Sequence, residues 1–388
     1  MKKRLLVFFA LIVSISSLCK FNYSNWVAAE ENFETKSNSI YLIDNDSKTV
    51  LIKKNELEHR KIASMTKIMT LLLSFEELDN GKLSLNEQIK VSENASKMGG
   101  SQVFLEKDAY YPASDLIKSI VVASANDSSV AMAERISGSE SAFVEKMNKK
   151  CKELSMNNTV FVNCTGLPAA GQYSCAKDVA TMFSELIKHK EYFDFSSIWM
   201  DKIMHPMGRY TEISNTNKLI KFYDGCDSGK TGYTSEAGHC LCASAKRDNM
   251  RLISVVISSP DSKTRFKEAS SLFNYGFNNF VNKLLVDSSV PLEMNVGIRD
   301  GKTPSVSVIP EKSLYLFSKR NDDRVVDVNF EPIDGVVAPI VKGDVLGNIY
   351  VYENGVQISS TKVLACETVY SKSYIDRVYN IAKNWSII

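Results

Sequence analysis

The stretch IASMTKIMT, residues 62–70, places Ser64 three residues before Lys67 at the start of an apolar run. Residues three apart lie on one face of a helix, so a helix that begins near Ser64 brings the hydroxyl and the amine together. The Ser-x-x-Lys spacing alone is common, because it occurs four times in the chain. Its meaning therefore depends on its surroundings and on the motifs that follow.

The Ser64–Lys67 pair has a structural and a chemical interpretation. A lysine is normally a solvated cation and a poor base, and a helix surface is its ordinary place. Burial against apolar neighbours such as Ile62 and Ile68 would disfavour the charged form and lower the lysine pKa. The neutral amine could then take the proton of an adjacent serine, an assistance that contributes roughly 10²–10⁴ in rate. The chemical interpretation predicts a nucleophile and its base on one rigid turn.

Two further motifs supply partners for such a pair. Ser124-Ala125-Asn126 lies within an apolar block and offers a hydroxyl to relay a proton and an amide to hold a substrate carbonyl. Lys230-Thr231-Gly232 occurs once in the chain, on an expected strand. Glycine there lets a substrate backbone approach closely, and the lysine and threonine can bind an anion. Each motif is weak by itself, but their order and context together are specific.

The composition indicates a secreted globular protein of two domains. The 388 residues are 44% hydrophobic and 24% charged, as expected for a folded chain of this length. A basic start, an apolar run and the small residues Val27 to Ala29 predict a signal peptide over residues 1–29. These residues hold four bases and no acid, so their removal turns the net charge from +2 to −2. This balance argues against a nucleic-acid-binding surface.

The cysteines predict neither a disulfide framework nor a metal site. Seven cysteines follow the signal peptide, and an odd number excludes full pairing within one chain. Cys240 and Cys242 share one face of an expected strand, which puts His239 on the other face. No second cluster completes a tetrahedral metal site. We therefore predict core cysteines and no bound metal.

Periodicity outlines three regions after the signal peptide. Residues 39–54 alternate apolar and polar residues around a turn, which predicts a β-hairpin. Helical spacing follows, then hairpin-connected strands and a closing helix near residues 264–280. These segments form the predicted catalytic domain, residues 30–282. Short alternating runs then predict a β-rich domain over residues 283–366, and residues 367–388 are a predicted amphipathic helix.

The terminal helix has two interpretations. Tyr370, Tyr374, Val378, Ile381 and Trp385 recur at intervals of three and four, with basic residues off that face. The stripe either docks on the body of the protein or lies in a membrane interface. Both interpretations stay open on the sequence alone.

With these motifs the chain resembles the serine D-alanyl-D-alanine carboxypeptidases, the low-molecular-mass penicillin-binding proteins of the DD-peptidase family. The resemblance covers residues 35–282 and includes YLIDNDSKTVLIKKNELEHRKIASMTKIMT, VVASANDSSVAMAE and GKTGYTSEAGHCLCASAKRDNMRLISVVIS. It implies an α/β (α+β) fold, in which helices surround an antiparallel sheet whose strands come from both ends of the domain. The β-rich region and the tail are similar to that family's C-terminal domain and membrane anchor.

The resemblance also implies a catalytic role for the first two motifs. Ser64 would attack the penultimate D-alanine carbonyl of a peptidoglycan stem peptide, with Lys67 as its base. Ser124 would help to pass the proton to the departing D-alanine, and Asn126 would position the substrate and Lys67. Water would then hydrolyse the acyl-enzyme, with no metal or organic cofactor.

For the third motif the resemblance implies substrate binding. Lys230 and Thr231 would recognise the terminal carboxylate. The N–H groups of Ser64 and of Tyr233, which follows Gly232, would form the oxyanion hole, where the loss of one donor costs on the order of 10²–10³ in rate. β-Lactams, which mimic the D-Ala-D-Ala end, would acylate Ser64. The expected location is the outer face of the cytoplasmic membrane.

Three rival functions follow from the same motifs. A class A-like β-lactamase needs a further glutamate, and ELSMN at Glu153 resembles such a motif, although Glu153 lies off the apolar stripe of its helix. A non-catalytic sensor of β-lactams or cell-wall peptides would typically have lost a motif residue, and all are present. Transpeptidation shares the acyl-enzyme and differs only in the acceptor. One departure from the family pattern is Lys107-Asp108-Ala109, where a Gly-Asp pair is expected.

Overall fold

The computed structural model describes residues 33–385. The predicted signal peptide lies outside the described residues, as does the end of the predicted tail helix, residues 386–388. Residues 39–279 mix helices and strands, and residues 280–385 form strands followed by a terminal helix. This arrangement confirms the predicted fold class.

The first region contains a large sheet, two small sheets and a cluster of helices. Its strands are β1 Ser39–Asp44, β2 Val50–Lys54, β3 Gln88–Lys90, β4 Tyr110–Pro112, β5 Met200–Met204, β6 Tyr210–Ser214, β7 Cys226–Thr234, β8 Gly238–Arg247 and β9 Met250–Ser259. Its helices are α1 Lys67–Asp79, α2 Glu93–Ser96, α3 Ala113–Val122, α4 Asn126–Ser137, α5 Glu140–Glu153, α6 Ala176–Leu186, α7 Tyr192–Ser196, α8 Leu219–Phe222 and α9 Ser262–Asn279.

The main sheet draws its strands from both ends of the first region. Its order is β2-β1-β9-β8-β7, antiparallel throughout, and Ile40 of β1 lies opposite Val256 of β9. All six residues of β1 are buried because helices cover both faces. Leu42 packs in a cluster with Phe273 of α9, and Ile43 belongs to the cluster formed with the other helices.

Helix α1 runs through the centre of the helical cluster. Each residue from Met65 to Phe75 is at most 1% exposed. A helix that is apolar on all sides belongs in a core, and its burial therefore carries Lys67, its first residue, into the interior.

The apolar block that contains the Ser124-Ala125-Asn126 motif forms two helices. Helix α3 ends at Val122 and α4 begins at Asn126. Between them Ser124 has a φ of 62°, in the left-handed region that ends a helix. The backbone N–H of Ala125 bonds to the carbonyl of Ser119 at 3.2 Å, which closes the end of α3. The break projects Ser124 out of the helical path.

The second region is a β-rich unit followed by a helix. Its elements are β10 Phe280–Val286, β11 Asn295–Gly297, β12 Ser305–Pro310, β13 Leu314–Lys319, β14 Asp327–Pro332, β15 Val345–Glu353, β16 Val356–Ala365 and α10 Tyr374–Trp385. Five strands form the sheet β11-β12-β16-β15-β14, while β10 pairs with β13. Strand β10 thus begins three residues before the domain boundary predicted after residue 282.

The tail helix begins later than predicted. The sequence places it from residue 367, but Val369 and Ser371 still form bridges to Ile340 and Gly301 of the β-rich unit. These backbone bonds hold the chain extended until α10 starts at Tyr374. Within residues 33–385, no helix combines the length and the apolarity that a bilayer crossing requires.

The cysteines are core residues, as predicted. All seven that the structure describes are free thiols, and each except Cys366 is buried. Cys240 and Cys242 pack together in the helical core, while the ring of His239 stacks on Tyr233. Burial raises the pKa of the Cys240 thiol to about 11, so this thiol stays protonated at neutral pH.

Asp44, at the end of β1, has a buried carboxyl group in which only one of the two oxygens accepts hydrogen bonds from residues 33–385. Its Oδ2 accepts the Ser47 N–H at 2.8 Å and the Ser47 hydroxyl at 2.7 Å, while Oδ1 has no partner among the described residues. Burial, the largest cause, raises the pKa of Asp44 from 3.8 to about 6. Folding therefore favours the protonated acid, and Asp44 destabilises the fold as pH rises from about 4 through 6.

We predict that Asp44→Asn raises the free energy of unfolding by about 2–3 kcal/mol at pH 7 and leaves it nearly unchanged near pH 4. The amide oxygen can keep the Ser47 bonds without a buried charge. Denaturant unfolding at both pH values measures the effect, with exposed Asp46→Asn as the control. An equal difference at the two pH values would contradict this account.

Candidate active site

Ser64 lies in a 3-10 turn, Ala63–Thr66, that packs between β7 and the start of α1. Gly232 of β7 faces this turn, and a Cβ on it would lie 2.5 Å from the Ile62 carbonyl oxygen and 3.2 Å from the Ser64 nitrogen. Ala63 has a φ of 47°, a conformation that is costly for an L-residue and is held here by its packing. This close approach brings Ser64 beside the Lys230-Thr231-Gly232 motif.

Lys67 is fully buried and makes three short contacts. Its Nζ donates to Asn126 Oδ1 and to the Thr165 carbonyl oxygen, both at 2.6 Å, and lies 3.1 Å from Ser64 Oγ. Burial lowers the pKa of Lys67 to about 7. A neutral amine has two N–H bonds and one lone pair, and the two acceptors use both N–H bonds. The lone pair is therefore left for the hydroxyl proton of Ser64.

Ser124 and Lys230 form a second hydroxyl–amine pair. Lys230 Nζ donates to Ser124 Oγ at 2.7 Å, and both residues are buried. Burial lowers the pKa of Lys230 well below its ordinary value, and the charges of Lys67 and Arg265 lower it further. An entering carboxylate would favour the charged form of Lys230, so the pair is suited to bind an anion when substrate arrives.

The structure brings the sequence-predicted residues to one place. The Lys67 amine contacts both Asn126 and Ser64. The amine of Lys230, in the third motif, donates to Ser124. Thr231 is buried on β7, next to Gly232. Tyr233 is 60% exposed and its ring stacks on the His239 ring at 4.4 Å.

The sequence did not reveal the segment that carries Thr165. The side chain of Asn163 accepts the backbone N–H groups of Thr165 and Gly166 at 3.2 and 2.7 Å, which turns the Thr165 carbonyl toward Lys67. Gly166 has a φ of +84°, and a Cβ on it would lie 2.0 Å from the Ala63 carbonyl oxygen. The only signal in the sequence is a glycine in a polar turn, which does not identify its tertiary partner.

Arg265 is a second functional residue that the sequence did not reveal. It lies on the buried face of α9 and donates to the carbonyl oxygens of Gly232 at 3.0 Å and Cys240 at 3.2 Å. Its guanidinium adds a positive charge behind the third motif. A signal did exist, because Arg265 occupies the same helical stripe as Ala269 and Leu272, where an arginine is unusual.

Two other sequence features lie in ordinary surroundings. Asp108, in the segment that departs from the expected Gly-Asp pair, adopts a φ of 63° in an exposed turn and pairs with Lys90 at 2.8 Å. Glu153 pairs with Lys150 at 2.8 Å, and Lys150 also pairs with Glu76 near the end of α1. Glu76 is nine residues beyond Lys67, which is about 14 Å along the helix. Glu153 therefore lies near the end of α1 that is distant from Lys67.

This fold, with Ser64 beside a buried lysine, defines the class of serine hydrolases. The chain belongs to peptidase family S11, D-alanyl-D-alanine carboxypeptidase, whose model matches residues 25–261. A second model, the C-terminal domain of penicillin-binding protein 5, matches residues 282–371. Both matches confirm the resemblance and the enzyme class inferred from the motifs.

Individual relatives give the same result. The D-alanyl-D-alanine carboxypeptidase DacF of Bacillus subtilis is 38% identical over 352 residues, 90% of each chain. DacA of Haemophilus influenzae is 31% identical over 333 residues, 83% of this chain and 82% of the relative. The structure of DacD from Francisella tularensis has a TM-score of 0.66 and 27% identity, and covers 91% of this chain and all of its own. Penicillin-binding protein D2 of Listeria monocytogenes, in its ampicillin-bound form, has a TM-score of 0.57 and 28% identity over 64% of this chain and all of its own.

We predict that Gly166→Ala slows acylation of Ser64 by a fluorescent penicillin by about 10²-fold, because a displaced turn misplaces the reacting oxygen. Gly171→Ala is the matched control, since Gly171 has a φ of +81° but a Cβ on it would meet nothing within 4 Å. Both variants place an alanine at a positive φ, so the clash with the Ala63 carbonyl is the difference between them. Equal acylation rates for the two variants would refute the importance of this contact.

Proposed function

We propose that this protein removes the terminal D-alanine from peptidoglycan stem pentapeptides through an acyl-enzyme on Ser64. The observation that carries the proposal is the Lys67 amine, which is buried, has both N–H bonds occupied by Asn126 and Thr165, and faces Ser64 Oγ at 3.1 Å. A lysine held in this way is a general base, because its lone pair has one available proton donor.

In the proposed acylation, Lys67 takes the proton of Ser64 as the oxygen attacks the carbonyl of the penultimate D-alanine. Ser124, which is bonded to Lys230, gives its hydroxyl proton to the nitrogen of the departing D-alanine and receives the proton held by Lys67 in return. The C–N bond then breaks, D-alanine leaves as the neutral amine, and Lys67 is again a neutral base. Asn126 keeps Lys67 oriented and is placed to bind the substrate backbone. Deacylation repeats the sequence with water as the nucleophile.

The proposed anion site lies on β7. Lys230 and Thr231 bind the terminal carboxylate, and the guanidinium of Arg265 behind this strand supplies additional positive charge. The N–H groups of Ser64 and Tyr233 stabilise the oxyanion, a contribution that is largest in a preorganised site. This arrangement explains selection for a peptide with a free carboxyl end.

β-Lactams are proposed covalent inhibitors, and the ampicillin-bound Listeria relative supports this proposal. Hydrolysis of the drug as the main activity is disfavoured, because Glu153 is engaged by lysines near the far end of α1. A sensor without activity is disfavoured by the complete set of contacts around Lys67 and Lys230.

We predict that the purified protein releases D-alanine from a pentapeptide ending in D-Ala-D-Ala, and that Ser64→Ala lowers kcat/KM at least about 10³-fold. Because the base must be neutral, kcat/KM should fall as pH drops through about 7, the pKa of Lys67. If Ser64→Ala still released D-alanine at the unmodified rate, the mechanism would be wrong. Acylation without release would indicate a sensor, and transfer to an added amine would indicate a transpeptidase.

We also propose that the protein acts at the outer face of the cytoplasmic membrane, with α10 in the lipid interface. The predicted signal peptide supports export. Four apolar or aromatic side chains of α10 are exposed: Tyr374, Ile375, Val378 and Tyr379, at 81%, 78%, 48% and 67%. An ion pair between Arg377 and Asp300 links the helix to the β-rich unit while leaving this face open. The docking interpretation is therefore the less favoured one.

We predict that the protein sediments with vesicles of mixed neutral and anionic lipid, and that Ile375→Glu weakens binding by at least about 10-fold, since a charge replaces buried apolar surface. Val325→Glu is the matched control, because Val325 is 80% exposed in the β-rich unit. Equal loss in both variants, or no binding by the unmodified protein, would reject the membrane role.

A further inference from the structure

Residues 99–106 orient the amide on which Lys67 depends. The backbone N–H of Asn126 donates to the Ser101 carbonyl at 2.7 Å, and Asn126 Nδ2 donates to the Gly99 carbonyl at 2.7 Å. These two bonds leave Asn126 Oδ1 facing Lys67 Nζ at 2.6 Å. The placement of this segment therefore sets the position of an acceptor in the catalytic centre.

The carboxylate of Asp127 and the β5–β6 hairpin both hold this segment. The buried carboxylate of Asp127 accepts the N–H groups of Val103 and Leu105, both at 3.1 Å. From the hairpin, Arg209 donates to the Phe104 carbonyl at 2.8 Å, and the hydroxyl of Thr211 donates to the Val103 carbonyl at 3.0 Å. The Thr211 contact depends on how its hydroxyl is oriented.

His205 fixes the orientation of the Thr211 hydroxyl through a chain of hydrogen bonds in which each group can only donate or only accept at a given contact. Its Nε2 lies 2.8 Å from Thr211 Oγ1 and its Nδ1 lies 2.8 Å from Tyr111 Oη. Thr211 gives its only hydroxyl proton to Val103, so it must accept the proton carried on His205 Nε2. Tyr111 Oη accepts the Glu106 N–H at 3.2 Å and donates to Nδ1. The chain therefore requires a neutral imidazole with its proton on Nε2.

Protonation of His205 breaks this chain at Tyr111. A proton on Nδ1 would face Tyr111 Oη, and the Tyr111 proton would lose its acceptor. Burial is the main cause that lowers the pKa of His205, with a smaller contribution from Arg209 and an opposing one from Glu106. The charged groups on the elements around this part of the hairpin are Glu106, Arg209, Asp127, Lys118 and Asp201.

We propose that neutral His205 is a positioning residue for the catalytic centre, because it ties the β5–β6 hairpin to residues 99–106 and thereby holds Asn126 against Lys67. The proposal rests on the function proposed above for Lys67 and Asn126. His205 touches no reacting atom, and it acts on residues 99–106 through Thr211 on one side and Tyr111 on the other. In acid its protonation removes the acceptor of the Tyr111 hydroxyl, which also holds the Glu106 N–H. This change loosens residues 99–106 and slows acylation, in addition to the direct protonation of Lys67.

Three variants and a control test this role. His205→Ala should slow acylation by a fluorescent penicillin at pH 8 by about 10-fold or more, because small displacements of catalytic groups are costly. His205→Gln should stay within about threefold, since its amide can accept from Tyr111 and donate to Thr211. Thr211→Val should resemble the alanine variant. His189→Gln is the control, because His189 is another partly buried histidine, bonded to Asp79 at 2.6 Å and packed on Phe75.

The pH profile separates positioning from simple structural support. In acid, where His205 as well as Lys67 becomes protonated, the logarithm of the acylation rate of the unmodified protein should fall with a slope above 1. The slope should return to 1 in His205→Gln and stay above 1 in His189→Gln. Hydrogen exchange of residues 99–106, corrected for intrinsic rates, should accelerate as the pH is lowered from neutral through the range in which the acid slope exceeds 1, and only where His205 is present.

Each outcome decides the question. Equal acid slopes in the unmodified protein and His205→Gln, or exchange of residues 99–106 that does not respond to His205, would overturn the proposal. Faster exchange over the whole chain in His205→Ala would mean a general loss of stability and would also overturn it. The exchange experiment requires no substrate, so failure of the proposed function, seen as no D-alanine release, is distinct from failure of this inference.

Discussion

The burial of a single amino group, that of Lys67, is the constraint on which the rest of the site depends. An amine removed from water must have acceptors for its N–H bonds, or its burial is strongly destabilising. Here the acceptors come from two segments distant in sequence, the start of α4 and the turn at Thr165. Burial lowers the pKa of Lys67 to about 7, and because both acceptors are neutral, neither adds a negative charge that would favour the charged form.

The nucleophile depends on close backbone packing from two sides. Gly232 approaches the turn at Ser64 from β7, and Gly166 approaches it from the segment after α5. Neither position has room for a Cβ, and together they hold Ala63 in a left-handed conformation. The strain is local, and the packing of sheet and helices that maintains it involves the whole first region. Catalytic geometry of this kind needs little reorganisation when substrate enters.

Much of the architecture was visible in the sequence. Alternation predicted the β1–β2 hairpin, helical spacing predicted the closing helix α9, and the three motifs indicated the candidate site residues. The prediction failed where local pattern and tertiary contact disagree. Ser124 lies between the apolar run before it and the polar stretch from Asn126 to Ser129, but this change of composition does not show that one helix ends there and another begins. The start of α10 at Tyr374 reflects the backbone bridges of Val369 and Ser371, which hydrophobic periodicity does not record.

By itself the sequence determined the class of chemistry, because a serine and a lysine three residues apart on a buried turn, followed by the two partner motifs, specify which groups react. Only the tertiary structure decided how those groups are oriented. The Thr165 carbonyl, the guanidinium of Arg265 and the bonds from Asn126 to residues 99–106 are contacts between segments far apart in the chain. Side-chain identity and spacing encode which atoms are available, whereas the direction of a hydrogen bond and the burial of a charge depend on the packing of the whole domain.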